Sequence, residues 1–599
     1  MCGISGIFSA SGSIPDAAKA QLRIVAHKQT HRGPDEQGFI ERSHFCAAHN
    51  RLSIIDLSTG QQPMVDAPTG NIIVFNGEIY NYVELRDELK SFGHSFATSS
   101  DTEVLLKSYA QYGIAMLEKL NGMFAFALYD ATNKSLFVAR DRFGEKPLYF
   151  FTTADRIHFA SELTSLMGFA ECRPEQSDTA LLEYFATGYI SGPLSLLTGV
   201  KQLQPGEAIE VNSRGLRAFT YYERPDGRQN RELSDEEIDT SLAKAIATRL
   251  RADVPVAALL SGGVDSSLIT LLAQRSSSQP LHTFSFGWRG EDDERPFARE
   301  IALRAGTVHH EIELDRSTFT SDILAAIRFM DMPLADSAAF VVYELSKCIA
   351  ENGVKVVLSG DGGDELFGGY NWYRGTRGAK HQLKRILRGE EELAEDYVVG
   401  KFMFDTSDLE SAFSRAHVNA LVDERTDLFA SMGDTVNGRI AYDYRTYLPW
   451  MLMPKVDRMS MAHAVEIRAP LLDHTLVDTW SAVSGRRKID DSTSKIRIKE
   501  YCIRKGLLSK EFLSRKKSGM NLPLSWWIRT NEPMFRDTVL KTGNKSVDLF
   551  GRAKLEHWFN DVQRDAGSGW SRSAQRIWTC FVYELWESQA RADRSASGL

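Results

Sequence analysis

The stretch VPVAALLSGGVDSSLITLLAQ, residues 254–274, gives the strongest indication of the fold. An apolar run typical of a strand ends at Leu260, the loop SGGVDSS follows, and an apolar run typical of a helix comes next. A glycine-rich turn between a strand and a helix can aim backbone N–H groups and a helix N-terminus at a phosphate. The alternative is an ordinary capped turn, because Ser, Gly and Asp are common in turns. The loop lacks the GxxxxGK[ST] pattern of a Walker A motif.

Asp265 is the informative residue of this loop. A carboxylate would repel phosphate unless a divalent cation lay between them, so the loop implies Mg²⁺. A second loop, SGDGGDELFGGY at 359–370, follows the apolar run VKVVL. Because loops at the carboxyl ends of parallel strands converge, we expect Asp361, Asp364 and Glu365 to lie near Asp265, with Mg²⁺ bridging a triphosphate. The alternative is a solvated acidic turn.

The two halves of the chain differ in their hydrophobic patterning. Short strand-type runs bounded by Gly, Asn and Asp, such as NIIVFNGEIY at 71–80, predict an α+β first half with mainly antiparallel sheets. Strand-type runs separated by helical stretches predict an α/β second half with a parallel sheet. The predicted division is an α+β domain at 2–210, a linker at 211–235, an α/β domain at 236–530 and a helical extension with a frayed tail at 531–599.

Composition limits the possible functions. The chain has 599 residues, of which 43% are hydrophobic and 25% charged, as is ordinary for globular proteins of several domains. No run approaches the ~18 apolar residues of a spanning helix, and no secretory signal precedes the fold, which predicts a cytoplasmic protein. The six cysteines are scattered without a CxxC pair, and the net charge of −8 argues against a broad nucleic-acid surface.

A set of ordered motifs resembles the glutamine-dependent asparagine synthetases of the B type. This family joins a class II glutamine amidotransferase domain with the N-terminal-nucleophile (Ntn) hydrolase fold to an ATP-pyrophosphatase domain with a PP-loop. The motifs run in the same order as in the family: MCGISG, HRGPDE (31–36), RLSIIDL (51–57), FNGEIYN (75–81), SDTE (100–103), NGMFAF (121–126), ARDRFGEKPLY (139–149), SGGVDSS, HTFSFG, GTVHHE, LSGDGGDELFGGY, PKVDRMSMAHAVEIRAPLLD (454–473) and RKKSGM (515–520).

The resemblance implies a glutaminase site in the first half. Cys2, exposed by removal of Met1, would attack the glutamine carboxamide, with the new α-amino group, of pKa about 7.7–8.0, as its base. Asn76 and Gly77 would supply the donors of the oxyanion hole. Arg51 would pair with the α-carboxylate of glutamine, while Glu78 and Asp101 would hold its α-ammonium.

In the second half the resemblance implies an ATP site with Mg²⁺ held by Asp265 and Asp364. Lys517 would stabilise charge at the α-phosphate and the departing pyrophosphate, and Asp361 stands where family members carry a base for the attack of ammonia. The nucleotide would be bound by Leu260, Ser261, Gly262, Gly263, Asp265, Ser266, Ser267, Phe286, Ser359 and Gly360.

The acceptor is the open point of this interpretation. Members that form asparagine typically carry glutamate where this chain has Asp361, so aspartate is one expected acceptor and a uronic acid or another carboxylate is the alternative. A glutaminase without synthetase activity is a further alternative. The expected partners are small molecules, namely glutamine, ATP and the acceptor, with neither nucleic acid nor membrane, and a homodimer is a possible assembly.

Overall fold

The computed structural model describes residues 1–172, 175–225, 227, 230–288, 293–314, 319–374, 392–515, 523–564 and 571–597. Its described strands form two antiparallel sheets in the first part of the chain and one parallel sheet in the second part. The expected fold class, an α+β sandwich followed by an α/β unit, is confirmed. Within these residues, no helix combines the length and the apolar character needed to cross a bilayer.

The first part is a sandwich of two six-stranded antiparallel sheets with the orders β10-β8-β9-β1-β3-β2 and β12-β11-β7-β6-β5-β4. Its strands are β1 (Gly3–Ser9), β2 (Glu36–Glu41), β3 (Phe45–Arg51), β4 (Met64–Val65), β5 (Ile72–Ile79), β6 (Gly122–Asp130), β7 (Ser135–Arg140), β8 (Tyr149–Thr152), β9 (Arg156–Ala160), β10 (Lys201–Gln202), β11 (Glu207–Asn212) and β12 (Gly215–Thr220).

The central strands of both sheets are buried on two faces, which explains why their sequences read as continuous apolar runs. On β1, Ile4 and Phe8 pack against the second sheet, whereas Ile7 faces the helical layer. On β5, Val74 faces the first sheet and Phe75 the other way. The flanking helices are α1 (Asp16–Lys28), α2 (Tyr82–Ser91), α3 (Asp101–Tyr112), α4 (Met116–Lys119), α5 (Leu163–Leu166) and α6 (Asp178–Thr187).

The second part contains a parallel sheet of order β15-β14-β13-β16-β17. The strand-type runs at 254–260, 282–288 and 354–358 predict three of its strands, which are β13 (Val256–Leu259), β14 (His282–Trp288) and β16 (Val356–Leu358) in the structure. The strands β15 (Val308–Leu314) and β17 (Glu466–Arg468) had no separate prediction. The sequence does not predict β17, because this strand has only three residues and two of them are charged. The helices that cover this sheet begin with α7 (Asp235–Arg249), α8 (Val264–Ser276), α9 (Arg295–Ala305), α10 (Phe319–Ile327), α11 (Ala338–Glu351) and α12 (Gly363–Phe367).

Helices dominate the rest of the chain. The methionine-rich run LPWMLMPKVDRMSMA at 448–462 begins as a π-helical segment at Leu448–Leu452 and continues into a buried α-helix. The helices are α13 (described residues 392–399), α14 (Thr406–Ala412), α15 (Arg415–Met432), α16 (Val436–Arg445), α17 (Met453–Met461), α18 (His474–Ser481), α19 (Gly485–Lys488), α20 (Ile496–Arg504), α21 (Lys510–Leu513), α22 (Leu524–Thr530), α23 (Glu532–Val539), α24 (Lys545–Phe550), α25 (Arg552–Arg564) and α26 (Arg572–Ser597).

The long helix α26 packs across both parts of the chain. Its Trp578 and Trp586 donate indole N–H hydrogen bonds to the carbonyls of Ala335 (3.1 Å) and Met330 (2.8 Å). The hydroxyl of Tyr184, on α6, donates to the carbonyl of Thr579 at 2.9 Å. The helix extends to Ser597, so the expected frayed tail is wrong for most of its length. Its buried aromatic face supplies the packing that keeps it helical.

Candidate active site

Cys2 and Asn76 meet because the sandwich turns their strands toward each other. Cys2 directly precedes β1, and Asn76 lies two residues after Val74 on the inner face of β5. The backbone N–H of Cys2 donates to Oδ1 of Asn76 at 2.9 Å. Among the described residues, Nδ2 of Asn76 has no hydrogen-bond partner although the side chain is fully buried. A buried amide donor without a partner suits an oxyanion that forms only during reaction.

The residue after Asn76 must be glycine at this point of the sheet. Gly77 has φ +153°, and a Cβ there would lie 2.1 Å from the carbonyl oxygen of Met123. Burial raises the pKa of the Cys2 thiol, and the N-terminal ammonium lowers it less strongly. The thiol is therefore protonated at rest and requires a base, as the predicted mechanism demands.

Two acids predicted to hold the glutamine ammonium lie beside this pair. Asp101 begins α3 and accepts a hydrogen bond of 3.0 Å from the backbone N–H of Ile79. Burial raises the pKa of Asp101 to about 6. Burial also raises the pKa of Glu78 well above its usual value, and Glu466 adds to the effect. A cation bound beside these two carboxyls would stabilise their ionised forms and lower their pKa values.

Arg51 is buried and already has partners. Its guanidinium donates to the carbonyls of Asp56 (2.6 Å) and Ile55 (3.3 Å) and to Glu36 Oε2 (3.2 Å). The backbone of the next residue, Leu52, lowers the pKa of the Cys2 thiol, so Arg51 lies near Cys2. In this structure Arg51 fixes the loop after β3, and its binding of the glutamine carboxylate stays a prediction.

Strand β17 adds two residues to the site that the sequence did not assign. Glu466 Oε2 lies 2.9 Å from the α-ammonium of Met1, whose side chain is buried. Arg468 pairs with Glu466 at 2.6 Å and with Glu78 at 3.5 Å. Both residues lie in the motif PKVDRMSMAHAVEIRAPLLD (454–473), but the motif alone did not indicate which function they have. Because α-ammonium groups attract carboxylates, Glu466 is a further candidate to orient the amino group of the processed chain.

The loop between β13 and α8 contacts the loop after β16, as predicted. A Cβ on Gly363 would lie 2.6 Å from Cγ of Asp265, so the second loop approaches the first at a position that needs glycine. The hydroxyls of Ser261 and Ser266 lie 3.1 Å apart and brace the first loop from inside. Ser267 follows in the first turn of α8.

Asp265 and Asp364 share a partner, the ammonium of Lys495. Lys495 hydrogen-bonds Asp265 and lies 2.6 Å from Oδ1 of Asp364. Burial lowers the pKa of Lys495, but the two carboxylates outweigh burial and raise it overall. No motif marked this residue in the sequence. Within the described residues no cluster of three or more His, Cys, Asp or Glu side chains could hold a metal. The carboxylates of Asp265 and Asp364, which converge on Lys495, nevertheless fit Mg²⁺. This ion usually binds one or two carboxylates together with substrate phosphates and water.

The other predicted ATP residues line the same end of the sheet. Leu260 is buried and its N–H donates to the carbonyl of Phe284, which places β13 beside β14 and its Phe286. Ser359 is buried, and Gly360 packs on Asp265. Lys517 lies outside the described residues. The nearest described residue before it is Arg515, which donates to the carbonyl of Gly262 at 2.9 Å.

Asp361 lies in the second loop, where the α/β part meets the sandwich. It lines a small cavity together with Glu145, Lys146 and Asp457. Burial raises the pKa of Asp361, and the neighbouring ammonium of Lys455 opposes this shift. Lys455 is buried and pairs with Asp336 at 2.8 Å. A carboxyl with a raised pKa is a suitable proton acceptor.

A buried chain of contacts joins Cys2 to this cavity. Nε of Arg32 donates to the Cys2 carbonyl at 3.1 Å, and Nη2 lies 2.9 Å from Oδ2 of Asp457. Lys146 Nζ is 3.5 Å from the other oxygen of Asp457. Arg32, Asp457 and Lys146 are all nearly inaccessible to solvent. The quoted motifs contain these residues, but sequence alone did not indicate that they meet.

Comparison with known proteins agrees with this arrangement. The asparagine synthase family model matches residues 237–588, and the glutamine amidotransferase domain model matches residues 1–222. The chain is 30% identical to asparagine synthetase (glutamine-hydrolyzing) 1 of Bacillus subtilis (strain 168), over 98% of this chain and 96% of that protein. It is 31% identical to a putative asparagine synthetase (glutamine-hydrolyzing) of Mycobacterium tuberculosis (strain ATCC 25618 / H37Rv), over 98% and 97%. It is 32% identical to asparagine synthetase B (glutamine-hydrolyzing) of Escherichia coli (strain K12), over 65% and 68%.

The fold and these matches define an amidotransferase in which a glutamine-hydrolysing unit precedes an ATP-consuming ligase unit. The chain belongs to the asparagine synthase family. The resemblance inferred from the sequence is thereby confirmed, and the protein is a glutamine-hydrolysing ligase.

Proposed function

We propose that the protein converts aspartate, glutamine and ATP to asparagine, glutamate, AMP and pyrophosphate through an acyl-adenylate. The observation that carries this proposal is the buried chain of contacts from the Cys2 carbonyl through Arg32, Asp457 and Lys146 to the cavity at Asp361. A glutaminase that merely released ammonia to solvent would not need its nucleophile joined to the loop of a nucleotide site.

In the first half reaction, removal of Met1 leaves Cys2 with its own α-amino group. This amine takes the thiol proton, and the sulfur attacks the carboxamide carbon of glutamine. Nδ2 of Asn76 and the N–H of Gly77 donate to the oxygen that gains charge. The α-ammonium returns this proton to the leaving nitrogen, which departs as ammonia, and water then hydrolyses the thioester to glutamate and the free Cys2 thiol.

In the second half reaction, the acceptor carboxylate attacks the α-phosphate of ATP and pyrophosphate departs. The loop Ser261–Ser267 cradles the phosphates with its backbone and hydroxyls. Asp265 and Asp364 would hold Mg²⁺, which when bound supplies neutralisation of phosphate charge. Lys495 and Lys517 add positive charge where negative charge develops on the departing pyrophosphate. Ammonia then attacks the acyl-adenylate, and Asp361 accepts the proton that the new amide nitrogen loses.

The acceptor of the reaction has two candidates. Asp361 has a side chain one methylene shorter than glutamate, which sets the base further from the acyl carbon or makes room for a larger acceptor. A uronic acid or another carboxylate is therefore the second candidate. We also propose the boundaries 2–210, 211–235, 236–530 and 531–599 for the domains, with sheet strands β11 and β12 reaching from the first domain into the linker.

One incubation tests the proposal. Purified protein is given glutamine labelled with ¹⁵N in the amide, MgATP and either aspartate or a uronic-acid sugar, and the products are followed by NMR. We expect label in asparagine together with one pyrophosphate for each amide formed. Label in the sugar amide would identify the second acceptor. Label in free ammonia with every carboxylate would show a glutaminase alone.

A further inference from the structure

A buried histidine bridges the two sheets of the sandwich immediately before the oxyanion residues. His49 lies on β3 and is fully buried. It is paired with Ile4 of β1, whose side chain packs against the second sheet, so the two side chains share that face. Nε2 of His49 lies 3.1 Å from the carbonyl oxygen of Phe75 on β5. Because Phe75 precedes Asn76, the sheet that begins beside Cys2 is tied to the strand that carries the oxyanion donors.

Side chains hold both main-chain polar groups of Phe75 at this point. Its N–H donates to Oε1 of Gln62 at 2.7 Å, and Nε2 of Gln62 donates to Oγ1 of Thr102 at 3.2 Å. Strand β4 pairs with β5 only at Ile72 and Ile73. At Phe75, Gln62 and His49 therefore take the place of a neighbouring strand.

The protonation state of His49 suits a donor that keeps its proton. Burial lowers the pKa of His49 to about 3; the bond to Phe75 opposes this shift, while Arg51 and the N-terminal ammonium add to it. The ring is therefore neutral at pH 7. Because a carbonyl oxygen can only accept, Nε2 carries the single ring proton. Such a ring is unsuited to take the proton of the Cys2 thiol.

We propose that His49 is a positioning residue of the glutaminase. Its Nε2–H holds the Phe75 carbonyl and so fixes the main chain that places Nδ2 of Asn76 and the N–H of Gly77 at the reacting oxygen. The inference rests on the oxyanion hole of the proposed function. Both donors follow Phe75 within two residues, so a shift of its peptide moves them together. A displacement of about 1 Å can cost about 100-fold in rate.

Three replacements of His49 separate the donor from the ring. His49→Phe keeps a planar ring and removes the donor. His49→Gln keeps the donor, because its Nε2 reaches nearly the same place as the imidazole Nε2, whereas the amide of His49→Asn stops short of Phe75. The matched control is His158→Phe: His158 is also buried, has its pKa lowered to about 3 and packs on Phe151 and Phe169, away from β5.

The measurements distinguish the transition state from the bound substrate. Glutamate release gives kcat and KM for glutamine, and inhibition by glutamate γ-semialdehyde gives a Ki. The Cys2 sulfur bonds to the aldehyde carbon of this analogue and the thiol proton passes to the aldehyde oxygen, which then lies where the oxyanion forms. Ammonia-driven synthesis and circular dichroism report whether each variant is folded.

We expect His49→Phe to lower kcat about tenfold and to raise the Ki of the aldehyde by a similar factor, with KM unchanged. The inflections of kcat/KM against pH should stay where they are, because His49 exchanges no proton. His49→Gln should keep most of the activity, and His49→Asn should resemble His49→Phe. His158→Phe should match the wild type.

Equal kcat and Ki values in His49→Gln and His49→Asn overturn the assignment, and this comparison decides the matter if His49→Phe does not fold. A lost pH inflection also overturns it, since His49 would then act as an acid or base. Asn76→Ala separates the two levels of the argument. If this variant keeps the wild-type kcat and Ki, the oxyanion hole of the proposed function fails; if it loses them while folded His49→Phe does not, only the role of His49 fails.

Discussion

The backbone N–H of Cys2 donates to Oδ1 of Asn76 at 2.9 Å, and this bond fixes which end of the Asn76 amide faces the reacting carbon. With Oδ1 engaged, Nδ2 is left as a buried donor within the described part of the chain. Under the proposed function, the nucleophile would orient its own oxyanion donor through its amino nitrogen. Strands β1 and β5, from the two facing sheets of the sandwich, hold this arrangement in place.

Replacing Asn76 by alanine should lower the glutaminase kcat by about 100-fold, since one oxyanion donor is lost. The KM for glutamine should change little, because the donor acts on charge that forms in the transition state. Steady-state glutamate release measures both constants. Ammonia-driven synthesis in the same variant is the control and should equal that of the wild type. A rise in KM at constant kcat would instead make Asn76 a ground-state contact.

Cys2→Ala should abolish use of glutamine while ammonia-driven synthesis survives, because the nucleophile serves the first half reaction alone. The measurement is pyrophosphate release with glutamine and then with ammonium chloride as nitrogen source. Cys46→Ala is a matched control, since Cys46 is also a buried thiol of the first sheet. Loss of both activities in folded Cys2→Ala protein would contradict two separate sites.

Lys495→Ala should lower ATP-dependent pyrophosphate release by about 100-fold, because Asp265 and Asp364 lose the cation that they share. Glutaminase activity measured without ATP should remain. Lys505→Ala, on a half-exposed lysine that lies near Asp239, is the control and should behave as wild type. Pyrophosphate release at the normal rate in Lys495→Ala would rule out a role for this lysine at the phosphates. Removal of Mg²⁺ by EDTA should likewise stop pyrophosphate release and spare glutaminase.

Besides the fall that protonation of the Cys2 α-amino group causes below about pH 8, the kcat/KM for glutamine should show a second fall near pH 6, the raised pKa of Asp101. Above this pH the carboxyl is ionised and attracts the α-ammonium of glutamine; below it the charge is lost. In Asp101→Asn the second fall should vanish and kcat/KM should be low at every pH. The measurement is kcat/KM between about pH 5 and 8, with circular dichroism to confirm that the protein stays folded. An unchanged inflection in Asp101→Asn would assign it to another group.

Asp457→Asn should lower the free energy of unfolding by about 3 kcal/mol, because it leaves the buried guanidinium of Arg32 without one of its two carboxylates. Urea titration followed by fluorescence gives the value. Asp16→Asn, which breaks a solvent-exposed pair with Lys19, should leave the stability within error of the wild type. Equal stability of Asp457→Asn and the wild type would mean that water replaces the lost oxygen.

Motif order and local pattern were enough to predict the two kinds of sheet and the meeting of the two acidic loops. Asp265 and Gly363 could be brought together because parallel strands place their following loops at one edge. Lys495 could not be predicted, since no local pattern distinguishes a lysine between two carboxylates from one in water. The contacts of Asp457 could not be predicted either, because they depend on how the two parts of the chain face each other.

Helix α26 is the last element of the chain to be synthesised, so its contacts with earlier segments form last. Trp578 and Trp586 donate hydrogen bonds to the carbonyls of Ala335 and Met330. The segment that contains these carbonyls therefore gains the two hydrogen bonds only after nearly the whole chain has been synthesised. The sandwich strands, by contrast, have all emerged by residue 220. A chain cut short before α26 would therefore contain all the sandwich strands, with Cys2 and Asn76, but would lack these two hydrogen bonds beside the parallel sheet.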